Sequence, residues 1–164
     1  YTFSKEQVLE FYANSGNGGA SNVDMTAVSA DPMAQCQKLL DSLDLSQGNM
    51  VLFFPPYSAL FWYDMEQAGR LERYFEVKRY FIQQISAYSN VTIFDFQGAD
   101  FTADLDNYMD MTHFSPQISD ELVRCFANGE YRIEPEQTGE TEVRILQNIE
   151  TLLTETPEIP TLRS

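Results

Sequence analysis

Apolar residues recur along this chain in two rhythms, and the switch between them marks its elements. Over residues 3–14, Val8, Phe11 and Tyr12 fall on one side of a short helix for which Ser4 is the expected N-cap. A polar stretch, NSGNGGASN, fills residues 14–22. Met33, Cys36, Leu40 and Leu43 then repeat at helical spacing, which predicts a second helix from about Asp31 to Leu45. The helical rhythm stops at Asn49–Phe54 (NMVLFF), an unbroken apolar run flanked by Gln47-Gly48 and Pro55-Pro56. Such a run predicts a strand buried on both faces, and the two prolines cannot extend its hydrogen-bond ladder.

Helical spacing resumes from about Leu60 to Tyr88, with Leu71, Phe75, Ile82, Ile85 and Tyr88 on the apolar stripe. Asn90 ends it, and Val91–Phe96 (VTIFDF) is the second expected strand. Strand, helical region and strand in this order make a βαβ unit with parallel strands. After a loop over Gln97–Phe114, a helix is expected from Pro116 to about Phe126. Ser115 caps it, Pro116 sits in its first turn, Asp120 and Glu121 lie near its positive end, and Gly129 follows it. Tyr131–Ile133 is a candidate third strand. A last amphipathic helix runs from about Thr138 to Leu153 on Val143, Leu146, Ile149 and Leu153, and the tail TPEIPTLRS reads as extended. Two or three strands are few for a parallel sheet. The expectation is therefore one domain over 1–164, with 131–164 a C-terminal helical extension and part of the sheet supplied by sequence outside this chain.

Composition narrows the function. The 164 residues are 43% hydrophobic, which suits one packed core. The formal net charge of −15 argues against nucleic acid as a partner, because phosphate binding needs a basic surface. Arg70, Arg73, Lys78 and Arg79 cluster among apolar residues and read as the solvated face of a helix. The chain starts at Tyr1 and contains no apolar run of about 20 residues, the length that spans a bilayer. Cys36 and Cys125 lie on apolar stripes and read as small buried hydrophobes; whether they pair is open at this stage. No residue pattern calls for a cofactor.

The chemistry concentrates at the lone histidine, His113, in the run NYMDMTHFSP beyond the second strand. Ligands of open α/β sheets bind at the carboxyl ends of the strands. Asp110, three residues upstream, is close enough in a turn to accept the imidazole Nδ1–H, which would leave Nε2 free to take a proton from a nucleophile. A rival reading uses Asp100, Asp104, Asp106 and Asp110 as oxygen ligands for calcium in a calcium-stabilised surface domain, although the spacing is not that of an EF-hand loop.

The block D-x-x-H-F-S-P entering a helix after a strand resembles the closing block of the SGNH/GDSL hydrolases. LFFPPYSALFWY (52–63), VTIFDF, LDNYMDMTHFSP and ISDELV are similar to a membrane-anchored bacterial subgroup of that family, over roughly residues 30–130. The resemblance implies a three-layer, flavodoxin-like parallel sheet, incomplete in this chain. It implies an extracytoplasmic serine esterase or acyl/acetyl transferase acting on a small-molecule or carbohydrate ester at the cell surface, held to the membrane only through an N-terminal anchor outside this chain. Asp110 and His113 carry over to the orienting and base positions. The family's G-D-S nucleophile block and its G-x-N-D oxyanion block are absent; Ser15-Gly16-Asn17-Gly18 has no strand before it, and Ser115 is better used as a cap. Pro55-Pro56-Tyr57-Ser58 stands where the oxyanion block is expected, so Tyr57 and Ser58 are candidate oxyanion donors. The missing blocks also leave room for an alternative, a non-catalytic SGNH-derived module for binding or assembly on the cell envelope.

Overall fold

In the computed structural model the described residues are 2–15, 31–46 and 48–163, so most of the expected polar loop over 14–22 lies outside them. Helix α1 covers Lys5–Asn14, and Ser4 caps it by accepting the Gln7 N–H at 3.2 Å. Helix α2, Pro32–Ser42, is capped by the Asp31 carboxylate. Strand β1 spans Met50–Phe54 and strand β2 spans Val91–Asp95; they pair in parallel with Met50 opposite Val91 and Phe54 opposite Asp95. The chain is mixed α/β with a two-stranded parallel sheet.

The region between the strands is two helices rather than one: α3, Ala59–Gln67, and α4, Leu71–Ile85. Gly69 breaks it. Its φ of +67° is a left-handed conformation that costs glycine little, and it lets Gly69 N–H bond Glu66 O at 2.8 Å and Arg70 N–H bond Met65 O at 2.9 Å. That pair of back-bonds closes a helix end. Beyond β2 come helix α5, Pro116–Asn128, ended by left-handed Gly129, and helix α6, Thr138–Glu155.

Alternation along β2 distributes its side chains to two covers. Val91 and Ile93 join Cys36, Leu40, Ile82 and Ile85 of α2 and α4 on one face, while Phe94 and the following Phe96 meet Ile118, Leu122 and Cys125 of α5 on the other. The Tyr131–Ile133 segment is a single antiparallel bridge to β2, with Arg132 opposite Phe94 and Ile133 N–H bonding Ile93 O at 3.0 Å.

Strand β1 departs from the expectation of burial on both faces. Met50, Leu52 and Phe54 pack toward α2 and α4, but Val51 is 59% exposed and Phe53 48%. Alternate residues of a strand also turn their peptide groups to opposite edges. Met50 N–H and Phe54 O serve the β2 side, which leaves the N–H and C=O of Val51 and Phe53 facing an edge with no strand among the described residues.

A second core gathers α1, α3 and α6 around Trp62, Tyr108, Ile145, Ile149 and Leu152. Helix α6 is rotated from its expected face: Val143 and Leu146 are exposed, and Thr141, Ile145, Asn148, Ile149 and Leu152 face inward. Ile145, Ile149 and Leu152 form the apolar stripe of that face, and Asn148 ties it further, donating to Ala99 O at 3.0 Å and to Thr102 Oγ1 at 2.9 Å. Two similar shifts occur elsewhere. Phe11 points to solvent, and Tyr88 lies beyond the end of α4 and is exposed. The tail is not simply extended. A 3-10 turn at Ile159–Thr161 buries Ile159 and brings Arg163 back onto α1.

Candidate active site

The loop 97–114 is folded tightly by two 3-10 turns, Asp100–Thr102 and Leu105–Asn107. Its distal part is a pinched turn: Tyr108 and Phe114 form an antiparallel bridge, Met109 N–H bonds His113 O at 2.9 Å, and Ser115 N–H bonds Asn107 O at 2.8 Å. Ser115 then caps α5 by accepting Ile118 N–H, as the sequence pattern predicts.

Asp110 and His113 meet across the tip of this turn. His113 Nδ1 is 2.6 Å from Asp110 Oδ2, while Asp110 Oδ1 accepts the N–H groups of Thr112 and His113, each at 2.8 Å, and the Thr112 hydroxyl at 3.2 Å. The carboxylate is therefore saturated within its own turn. Burial pushes the Asp110 pKa up, but the backbone N–H groups of Thr112 and His113 and the imidazole outweigh it and hold the carboxyl below its ordinary range. The imidazole side chain is 69% exposed and that of Asp110 only 18%. An Nδ1–H given to the carboxylate leaves Nε2 as the acceptor, facing outward.

This turn is fastened to the segment after β1. Tyr108 Oη donates to Pro56 O at 2.8 Å, and both the N–H and the hydroxyl of Ser58 donate to Met111 O, at 3.0 Å and 2.9 Å. Pro56 and Ser58 follow the carboxyl end of β1, so the histidine lies at that end of the sheet. The two candidate oxyanion donors fare differently. Ser58 is fully buried, caps α3, and has both of its donors taken by Met111 O, so neither remains for a substrate oxygen. Tyr57 is half-buried, with its ring 4.8 Å from that of Phe61 and 6.2 Å from that of Trp62.

The aspartates of the calcium reading are dispersed. Asp104 accepts Asp106 N–H, Asp106 accepts Lys5 N–H, and Asp110 is occupied as above. Among the described residues no group of three or more such side chains is placed to hold a metal ion. Cys36 and Cys125 are free, buried in different clusters, and burial pushes both thiols up.

The run of basic residues contains a surprise. Lys78 is not on a solvated face: it is buried, 2.5 Å from Asp95 Oδ2 and donating to Gln97 Oε1 at 2.7 Å. The signal was available, because Leu71, Phe75, Lys78, Ile82 and Ile85 share one helical stripe.

No family model, curated protein or solved structure matches this chain. Among the described residues no helix is long and apolar enough to cross a membrane.

Proposed function

We propose that this chain is the acid–base half of an SGNH-type serine esterase or acyl/acetyl transferase, with Asp110 as the orienting carboxylate and His113 as the general base. The observation that carries this reading is the 2.6 Å contact between His113 Nδ1 and Asp110 Oδ2, with the rest of the ring open to solvent. A carboxylate on Nδ1 selects the tautomer whose Nε2 accepts a proton, and it stabilises the imidazolium formed when a serine hydroxyl is deprotonated. In this reading the serine comes from a segment outside the described residues. The unpaired edge and exposed face of β1 support that, because they are what a larger, flavodoxin-like sheet would cover. The substrate class is a small-molecule or carbohydrate ester at the cell envelope, which carries with it an extracytoplasmic location and attachment to the membrane through sequence beyond this chain.

The experiment is hydrolysis of p-nitrophenyl acetate by the full-length protein and by its His113→Ala and Asp110→Asn variants. Loss of about 10⁴-fold or more on removing the base is expected of a triad, and full activity in His113→Ala ends the assignment.

One observation favours a second reading, a non-catalytic envelope module of the same ancestry: Ser58 has no donor left for an oxyanion. Labelling of the full-length protein by a fluorophosphonate probe separates the two, since only a competent nucleophile reacts.

A further inference from the structure

We infer that Ser58 is a positioning residue for the Asp110–His113 pair, acting through the single peptide unit that joins Met111 to Thr112. The inference deepens the reading above and rests on it. The carbonyl of that peptide accepts the Ser58 hydroxyl at 2.9 Å and the Ser58 N–H at 3.0 Å. Its N–H, on Thr112, donates to Asp110 Oδ1 at 2.8 Å. A trans peptide is planar, with C=O and N–H on opposite sides. Fixing the carbonyl direction therefore fixes where the N–H points, and with it the oxygen of Asp110 that it holds. The other oxygen of the same carboxylate grips His113 Nδ1. Four groups are thus aligned in series, from the N-cap of α3 to the imidazole.

Burial makes this link stiff. Ser58 and Tyr108 are fully buried and Met111 nearly so, so no water competes for the Met111 carbonyl, and Tyr108 Oη on Pro56 O ties the same two segments a second time. The cap role of Ser58 toward Phe61 N–H uses the hydroxyl as an acceptor and leaves its proton for Met111. The two roles are separable: glycine is well tolerated at an N-cap, keeps the backbone N–H, and deletes the donated O–H.

In the uniformly ¹⁵N-labelled full-length protein, the imidazole nitrogens of this site are the signals that His113→Gln removes. Long-range ¹H–¹⁵N spectra of the neutral ring give the ratio of Nδ1–H to Nε2–H tautomers. The wild type is expected to hold the Nδ1–H form. Ser58→Gly should reduce that ratio about fivefold, the equivalent of one ordinary hydrogen bond, and Ser58→Thr should restore it. Ser58→Cys, nearly the same size and a weak donor, gives the same fall if the glycine variant does not fold. An unchanged ratio in the glycine or cysteine variant, with the wild type in the Nδ1–H form, overturns the positioning role and leaves the hydrolase reading standing. A wild type that lacks the Nδ1–H form overturns both.

Discussion

Lys78 Nζ lies 2.5 Å from Asp95 Oδ2, and both side chains are withdrawn from solvent, so α4 is locked to the carboxyl end of β2 by a buried ion pair. Gln97 extends the lock, accepting from Lys78 and donating to Tyr74 Oη at 2.6 Å, and the ammonium sits 4.9 Å from the centre of the Phe54 ring. Burial lowers the Lys78 pKa despite the attraction of Asp95. Removing one member strands the other charge in the interior, which costs about 3–5 kcal/mol. Lys78→Ala and Asp95→Ala should each lower the urea midpoint accordingly. The double change Lys78→Met with Asp95→Asn, which removes both charges, stays close to the original volumes and keeps the acceptor for Gln97 N–H, should recover most of that loss.

Asp110 makes stability depend on pH on the acid side. Its folded pKa is below the unfolded value of about 3.9, so the folded state binds its proton less readily than the unfolded chain. The contribution is fully present above that unfolded value and is lost as pH falls through the lower folded one. Asp110→Asn should be less stable than the wild type near pH 7, and the difference should shrink as pH drops below about 4. Thermal melts of the two proteins between neutral and strongly acid pH provide the measurement, and a constant difference across the range would contradict the bond pattern at the tip of the turn.

The legible parts of this molecule are those where local chemistry decides. Ser4, Asp31 and Ser115 act as caps where short polar side chains precede apolar periodicity, and the two strands follow from Val- and Phe-rich runs. The Asp110–His113 contact agrees with the expectation that a carboxylate three residues upstream is close enough in a turn to reach the imidazole, although that spacing alone is a weak signal. What escaped depends on distant partners. On α6 two stripes compete in the sequence, Val143, Leu146, Ile149 and Leu153 against Ile145, Ile149 and Leu152, and the buried one also carries Asn148, whose partners Ala99 and Thr102 lie nearly fifty positions away in the chain. Lys78 carries a charge that points to solvent, while its place on the stripe of Leu71, Phe75, Ile82 and Ile85 points inward, and the stripe prevails because Asp95 lies there to pair with it. Ser58 looked like a loop donor; only the fold brings Met111 to it.

Two glycines separate conformational strain from crowding. A methyl group at Gly69 meets nothing within 4 Å, so Gly69→Ala carries only the cost of a left-handed backbone, about 1–2 kcal/mol. At Gly98 the φ is ordinary, but an added Cβ would lie 2.9 Å from Arg144 Cβ and 3.0 Å from Thr141 O. Both obstacles belong to α6, one of them backbone, so Gly98→Ala must push that helix outward. Thermal melts should show the larger loss for Gly98→Ala, and amide exchange should show it concentrated in α6, whereas the Gly69→Ala effect stays at the α3–α4 junction.

Arg163, near the end of the chain, holds three parts of the second core together. Its Nε donates to Tyr12 O at 2.8 Å, Nη2 donates to Ser15 Oγ at 2.7 Å, Nη1 pairs with Asp64, and the guanidinium lies 3.6 Å from the centre of the Tyr12 ring. Asp64 is nearly buried on α3 and its second oxygen has no hydrogen-bond partner, so the arginine is what neutralises it. Arg163→Ala should cost about 3 kcal/mol, because it leaves that carboxylate uncompensated in a largely buried position. Lysine supplies a charge but not a planar fork that can reach Tyr12, Ser15 and Asp64 at once, so Arg163→Lys should recover less than half of the loss. Chemical denaturation measures the totals, and amide exchange over residues 5–14 locates them. If Arg163→Ala leaves both unchanged, the tail is not the clasp that these contacts describe.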